Sequence, residues 1–89
     1  MTVAAPGTPE WIDARGQALV RARQQLREAD GVEERTRQHY ARTASEHYMG
    51  RRDDSDLEAA ERAWRAAQVA LVRARAVADG FDGQDRLRG

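Results

Sequence analysis

Seven small or apolar residues, Leu57, Ala60, Trp64, Ala67, Leu71, Ala74 and Ala78, follow one another at alternating steps of three and four. A strand changes face at every residue, whereas a helix returns to the same face every 3.6 residues. The run therefore predicts a helix with a heptad seam, mostly large residues at a and alanine at d. Ser55-Asp56-Leu57-Glu58 reads as a capping box at its start. Glu58–Arg62 and Glu61–Arg65 are favourable i,i+4 pairs on its outer surface. Ala78-Asp79-Gly80-Phe81 reads as its stop, so the predicted helix covers 55–79.

A second seam lies upstream. Thr8 can cap, Pro9 suits the first helical position, and Glu10 faces the positive end of the dipole. Ile12, Leu19 and Leu26 then recur every seven residues, with Ala22 and Ala29 at the d positions that follow the two leucines. This predicts a helix over 9–30. Asp30-Gly31-Val32 can be read in two ways. Glycine followed by an apolar residue is the sequence form of a Schellman stop, and Asp30 with Glu33 reads as the capping box of a new helix. Alternatively, a helix passes through a glycine at a cost of about 1 kcal/mol. Residues 32–49 are thus a second helix or a kinked continuation of the first. Met49-Gly50 ends this segment, and Arg51-Arg52-Asp53-Asp54 is a charged turn.

The expected fold is all-α. It is an antiparallel helical hairpin, or a small three-helix bundle, with Leu/Ala heptad seams and a kink or break near Gly31. Residues 9–81 form one helical domain, residues 1–8 a disordered leader and residues 82–89 a frayed tail. If the hairpin turns near 50–54, Trp64 lies near Tyr40, Leu71 near Glu33 and Ala78 near Leu26. Trp11, Ile12 and Leu19 then project beyond the shorter partner, and their cover must come from a second copy or another protein.

The word ALVRAR occurs twice, at 18–23 and 70–75. Leu19 and Leu71 both fall at a, and Ala22 and Ala74 at d. Small residues at d let two helix backbones approach while leucine fills the gaps beside them. The repeat is read as a packing surface used twice, with an accident of the Ala/Arg-rich composition and a paired arginine anion site as the minor readings.

Composition limits the core. Of 89 residues, 17 are Ala and only 13 are Leu, Ile, Val or Phe, so a single core is thin at this size. That shortage points to additional burial by self-association. Net charge is zero, all 15 basic residues are Arg, and Cys is absent. A polybasic tail, a disulfide framework and thiolate chemistry are excluded. No apolar stretch approaches the ~20 residues that span a bilayer. The Ala/Arg/Gly-rich usage fits a GC-rich bacterium or its phage, and a cytoplasmic location is expected.

Residues suited to chemistry are few. His39 and His47 lie two turns apart, about 12 Å along one helix, too far to share a metal ion. Neither belongs to a nucleophile–base pattern, no phosphate loop is present, and no cofactor or small-molecule substrate is expected. His39-Tyr40 and His47-Tyr48 combine apolar bodies with polar tips, which suits a partner face. Arg35, Arg37, Arg42, Arg51 and Arg52 form the most basic region, although Glu33, Glu34 and Glu46 interleave with them.

Tyr48-Met49-Gly50, at the expected turn, resembles the Trp-x-Gly turn of the small WXG100-type hairpins exported by type VII secretion. Tyr48 stands where that family has tryptophan. The resemblance implies a two-helix hairpin and export from the cell.

The expectation is a non-enzymatic helical interaction or assembly module, a small phage or bacterial adaptor that binds itself or another protein. Its packing residues would be Trp11, Ile12, Leu19, Ala22, Leu26, Leu57, Trp64, Leu71 and Ala74. Its partner face would hold His39, Tyr40, His47 and Tyr48. The alternatives are a nucleic-acid-binding regulator using Arg35–Arg52, and the exported hairpin just described.

Overall fold

The computed structural model describes the backbone of residues 9–88 and the side chains of residues 9–81. The expected leader, residues 1–8, lies outside the described residues, as does Gly89 at the end of the expected tail. Two helices, α1 (Pro9–Tyr48) and α2 (Asp54–Arg88), pack against each other as an antiparallel hairpin. The molecule measures 62 × 29 × 13 Å, a single layer of two helices side by side. Each helix therefore has one covered face, and the rest of its surface meets solvent.

The hairpin form of the expectation is present and the three-helix form is not. α1 is one continuous helix through Gly31, with neither the break nor a kink shown there. α2 likewise passes through Gly80 and continues to Arg88, beyond the expected end at Asp79. The physical reason is the same at both glycines. A Schellman stop needs a residue in the left-handed region after the last turn. Among the described residues only Gly50 has a positive φ, +75°. Gly31 and Gly80 stay helical, and packing along the whole hairpin outweighs a helical glycine's cost of about 1 kcal/mol.

The chain reverses at Gly50. The N–H of Met49 donates to the Ser45 carbonyl (3.2 Å), that of Gly50 to His47 (2.9 Å) and that of Arg51 to Glu46 (2.8 Å). These bonds satisfy the last carbonyls of α1 while Gly50 turns the backbone away. α2 then starts two residues earlier than a Ser55 cap implies. Asp53 is the cap: its Oδ1 accepts from the Asp56 N–H and the Ser55 hydroxyl, both at 2.9 Å. Aspartate caps as well as serine, and the tight turn delivers Asp53 first.

The seam on α2 is as the spacing predicts. Ala60, Ala67 and Ala78 are buried, and Leu57, Trp64, Leu71, Ala74 and Phe81 are half-buried. On α1 the covered face runs through Trp11, Arg15, Ala18, Ala22, Leu26, Ala29, Glu33, Thr36, Tyr40, Thr43 and His47. Only Ala22 and Thr43 on it are buried outright. No large side chain is fully enclosed anywhere among the described residues.

Candidate functional site: the interhelical seam and the outer faces

Three fastenings hold the hairpin. At its middle, Trp64 of α2 stacks on Tyr40 of α1, with ring centroids 5.2 Å apart and planes 25° from parallel. The Trp64 indole N–H donates to Glu33 Oε1 at 3.2 Å. Arg37 Nη1 lies 3.9 Å from the same carboxylate oxygen, whose side chain is only 13% exposed. Glu33 was expected to close a capping box at Asp30. Because the helix does not break there, Glu33 is available to Trp64 across the seam.

At the open end, the Arg15 guanidinium lies between two rings. It is 5.7 Å from the Trp11 centroid and 5.6 Å from that of Phe81. Its Nη2 also donates to the Phe81 carbonyl at 3.5 Å. The extension of α2 past Asp79 thus provides cover that the shorter expected helix lacked. Trp11 and Leu19, expected to project bare, are half-buried.

At the turn, His47 Nε2 is 2.6 Å from Asp54 Oδ1, and Arg52 Nε is 2.6 Å from Glu46 Oε2. Hydrogen bonding from Arg52 holds the Glu46 carboxyl below its ordinary range. The Asp56 N–H, followed by the Ser55 hydroxyl, does the same for Asp53. These groups are solvated, so they fasten the turn more in geometry than in energy.

The expected packing residues divide. Ala22 is buried, and Trp11, Leu19, Leu26, Leu57, Trp64, Leu71 and Ala74 are half-buried at the seam. Ile12 is the exception, at 59% exposure. A heptad frame drifts by about 20° per repeat against a straight helix. Ile12 lies furthest from the seam along that drift, and its neighbour Trp11 points inward instead.

The expected partner face also separates. Tyr40 stacks on Trp64, His47 meets Asp54, and His39 lines a shallow cleft with Thr43, Arg52 and Asp56. Tyr48 stands 92% exposed beside the turn. Among the arginines proposed for nucleic acid, Arg37 is near Glu33, and Arg52 is held by Glu46 and lies 4.0 Å from Asp56. Among the described residues, no group of three metal-binding side chains converges. No helix there is long and apolar enough to cross a membrane.

What the periodicity did not reveal is the opposite surface. In each ALVRAR copy the leucine turns inward and the valine outward. Val20 is 61% exposed and Val72 65%. On α1, Ile12 and Val20 line a groove with Asp13, Gly16, Gln17 and Arg21. On α2, Val69 and Val72 form a patch with Gln68 and Arg73. The register set by Tyr40–Trp64 and Arg15–Phe81 puts Leu71 level with Leu26 and Ala29, and Leu19 level with Ala78. The two leucines therefore do not face each other, and the copies come level only at their ends, 22–23 beside 74–75. No family model, curated protein or solved structure matches the chain.

Proposed function

We propose that the protein is a non-enzymatic helical interaction module whose contacts are made by its outer apolar faces. The observation that carries this is the outward placement of Ile12 and Val20 on α1 and of Val69 and Val72 on α2. Branched side chains grouped two by two on a helix's solvent side form a patch that association would cover. The thin seam supports the same reading. A single layer whose buried apolar residues are all alanine has much to gain from further burial.

A photo-crosslinking amino acid at position 20 or 72, in the cells that make the protein, tests this. The reading expects a discrete adduct from at least one of these positions and none from the exposed polar position 38. The absence of adducts from both 20 and 72 removes it.

One observation favours a second reading, the exported Trp-x-Gly type of hairpin. Tyr48-Met49-Gly50 sits at the reversal, with Gly50 in the left-handed region and Tyr48 projecting. This reading expects the protein in the medium of the producing cells. Retention inside intact cells under all growth conditions removes it.

A further inference from the structure

We propose that the groove on the outer face of α1 is the seam of a two-fold symmetric homodimer. This rests on the interaction-module reading and names its partner, a second copy of the chain.

The groove is bounded by two ridges of the helix surface. One is Ile12, Gly16 and Val20, and the other is Asp13, Gln17 and Arg21. Each ridge steps by four residues, and ridges of this kind fit the grooves of an identical helix in the commonest class of helix packing. The order of residues matches itself on reversal. When a second α1 is laid antiparallel and crossed about a dyad midway between Gly16 and Gln17, Ile12 falls within one residue's rise of Val20 of the other copy. Asp13 falls as close to Arg21, and the glycines lie on either side of the dyad. Apolar meets apolar and acid meets base, twice over, which is what an isologous contact requires.

Three features support this occupant. Ile12 and Val20 are 59% and 61% exposed, so most of each side chain is left open by the hairpin. Among the described residues, neither Asp13 nor Arg21 takes part in an ion pair within the chain, so both charges are available. A Cβ added at Gly16 meets nothing within 4 Å. The missing side chain serves no contact inside the hairpin, and it gives a neighbouring backbone room to approach. The patch on α2 lacks this complementarity, since Arg73 there has no acid among the patch residues to face.

A crossing of two or three turns is small by the standards of stable dimers, so the association is weak and concentration-dependent. The test uses charge reversal on the full chain, read by native mass spectrometry and checked for helicity by circular dichroism. Asp13→Arg puts two cations together across the dyad, and Arg21→Asp puts two anions together. Each variant alone is expected to be monomeric. Mixed together, they form a heterodimer with both ion pairs restored, one in its native sense and one reversed. The double variant Asp13→Arg/Arg21→Asp dimerises with itself. Gly16→Leu fills the groove and is monomeric, while Val72→Lys dimerises like the wild type.

Heterodimer formation also shows that both single variants are folded. Wild-type chain that is monomeric at the highest attainable concentration overturns the proposal, and so do single variants that dimerise as well as the wild type. Crosslinks from position 20 or 72 to a different protein, with a monomeric wild type, sink the dimer and leave the interaction module standing.

Discussion

Tyr40 and Trp64, on opposite helices, stack with their ring centroids 5.2 Å apart. The pair fixes the register of the hairpin, because both rings are large and half-buried in a seam whose fully buried apolar residues are all alanine. Trp64 also supplies the indole N–H that Glu33 accepts. Replacing Trp64 by Phe keeps most of the stack and loses the hydrogen bond, at an expected cost of about 1 kcal/mol. Trp64→Ala loses both, along with the apolar area, for about 2–4 kcal/mol. Thermal unfolding followed by circular dichroism ranks the two. Equal effects would show that the stack contributes nothing.

Two glycines make opposite predictions. Gly50 has φ +75°, which a side chain adopts only at a cost, so Gly50→Ala is expected to destabilise by about 1–2 kcal/mol. Gly31 is helical, and a Cβ there meets only the far end of the Arg35 side chain, at 3.3 Å. Gly31→Ala is therefore expected to stabilise by about 0.5–1 kcal/mol. Chemical denaturation of the two variants checks the signs. Destabilisation by Gly31→Ala would mean that the chain does need a break or bend at that point.

Acid should loosen the turn. Hydrogen bonds from the Asp56 N–H and the Ser55 hydroxyl depress the folded-state pKa of Asp53, and the bond from Arg52 depresses that of Glu46. A depressed carboxyl stabilises the fold above its unfolded pKa, and that contribution is lost as pH falls through the folded value. The contribution of these two carboxyls should therefore be complete near neutrality and fall away below about pH 4. Asp53→Asn retains capping ability without the charge, so its melting temperature should depend less on pH across that window. A parallel fall in wild type and Asp53→Asn would place the acid sensitivity elsewhere.

The open end of the hairpin depends on one arginine. Arg15 lies over the rings of Trp11 and Phe81. In a Trp64→Phe background, Trp11 is the remaining tryptophan. Arg15→Ala should then expose Trp11, shift its emission to the red and increase quenching by acrylamide. Unchanged emission would show that Arg15 does not cover the ring.

The α2 helix was legible because Trp64, Leu71 and the alanines around them contrast with polar neighbours at heptad spacing. The covered face of α1 was not, because Arg15, Glu33, Thr36, Thr43 and His47 occupy it, and hydropathy gives no contrast there. Glu33 and Arg15 act across the seam, through an indole and two rings, and local periodicity does not encode such contacts. Asp30-Gly31 and Asp79-Gly80 carried the composition of a helix stop without its left-handed backbone. Ile12 followed the heptad count and still lies outside the seam, because the count drifts against a straight helix. The outward valines of ALVRAR carry no periodic signal of their own, because the leucine beside each one satisfies the packing pattern.

Whether the outer faces are contact surfaces is tested most directly by sedimentation equilibrium of the wild-type chain over a wide concentration range, beside Val20→Asp. The wild type should rise from the 10.0 kDa monomer toward twice that mass, while Val20→Asp remains monomeric and equally helical. A wild type that stays at 10.0 kDa throughout, or a Val20→Asp variant that associates as strongly, would contradict self-association through the α1 face.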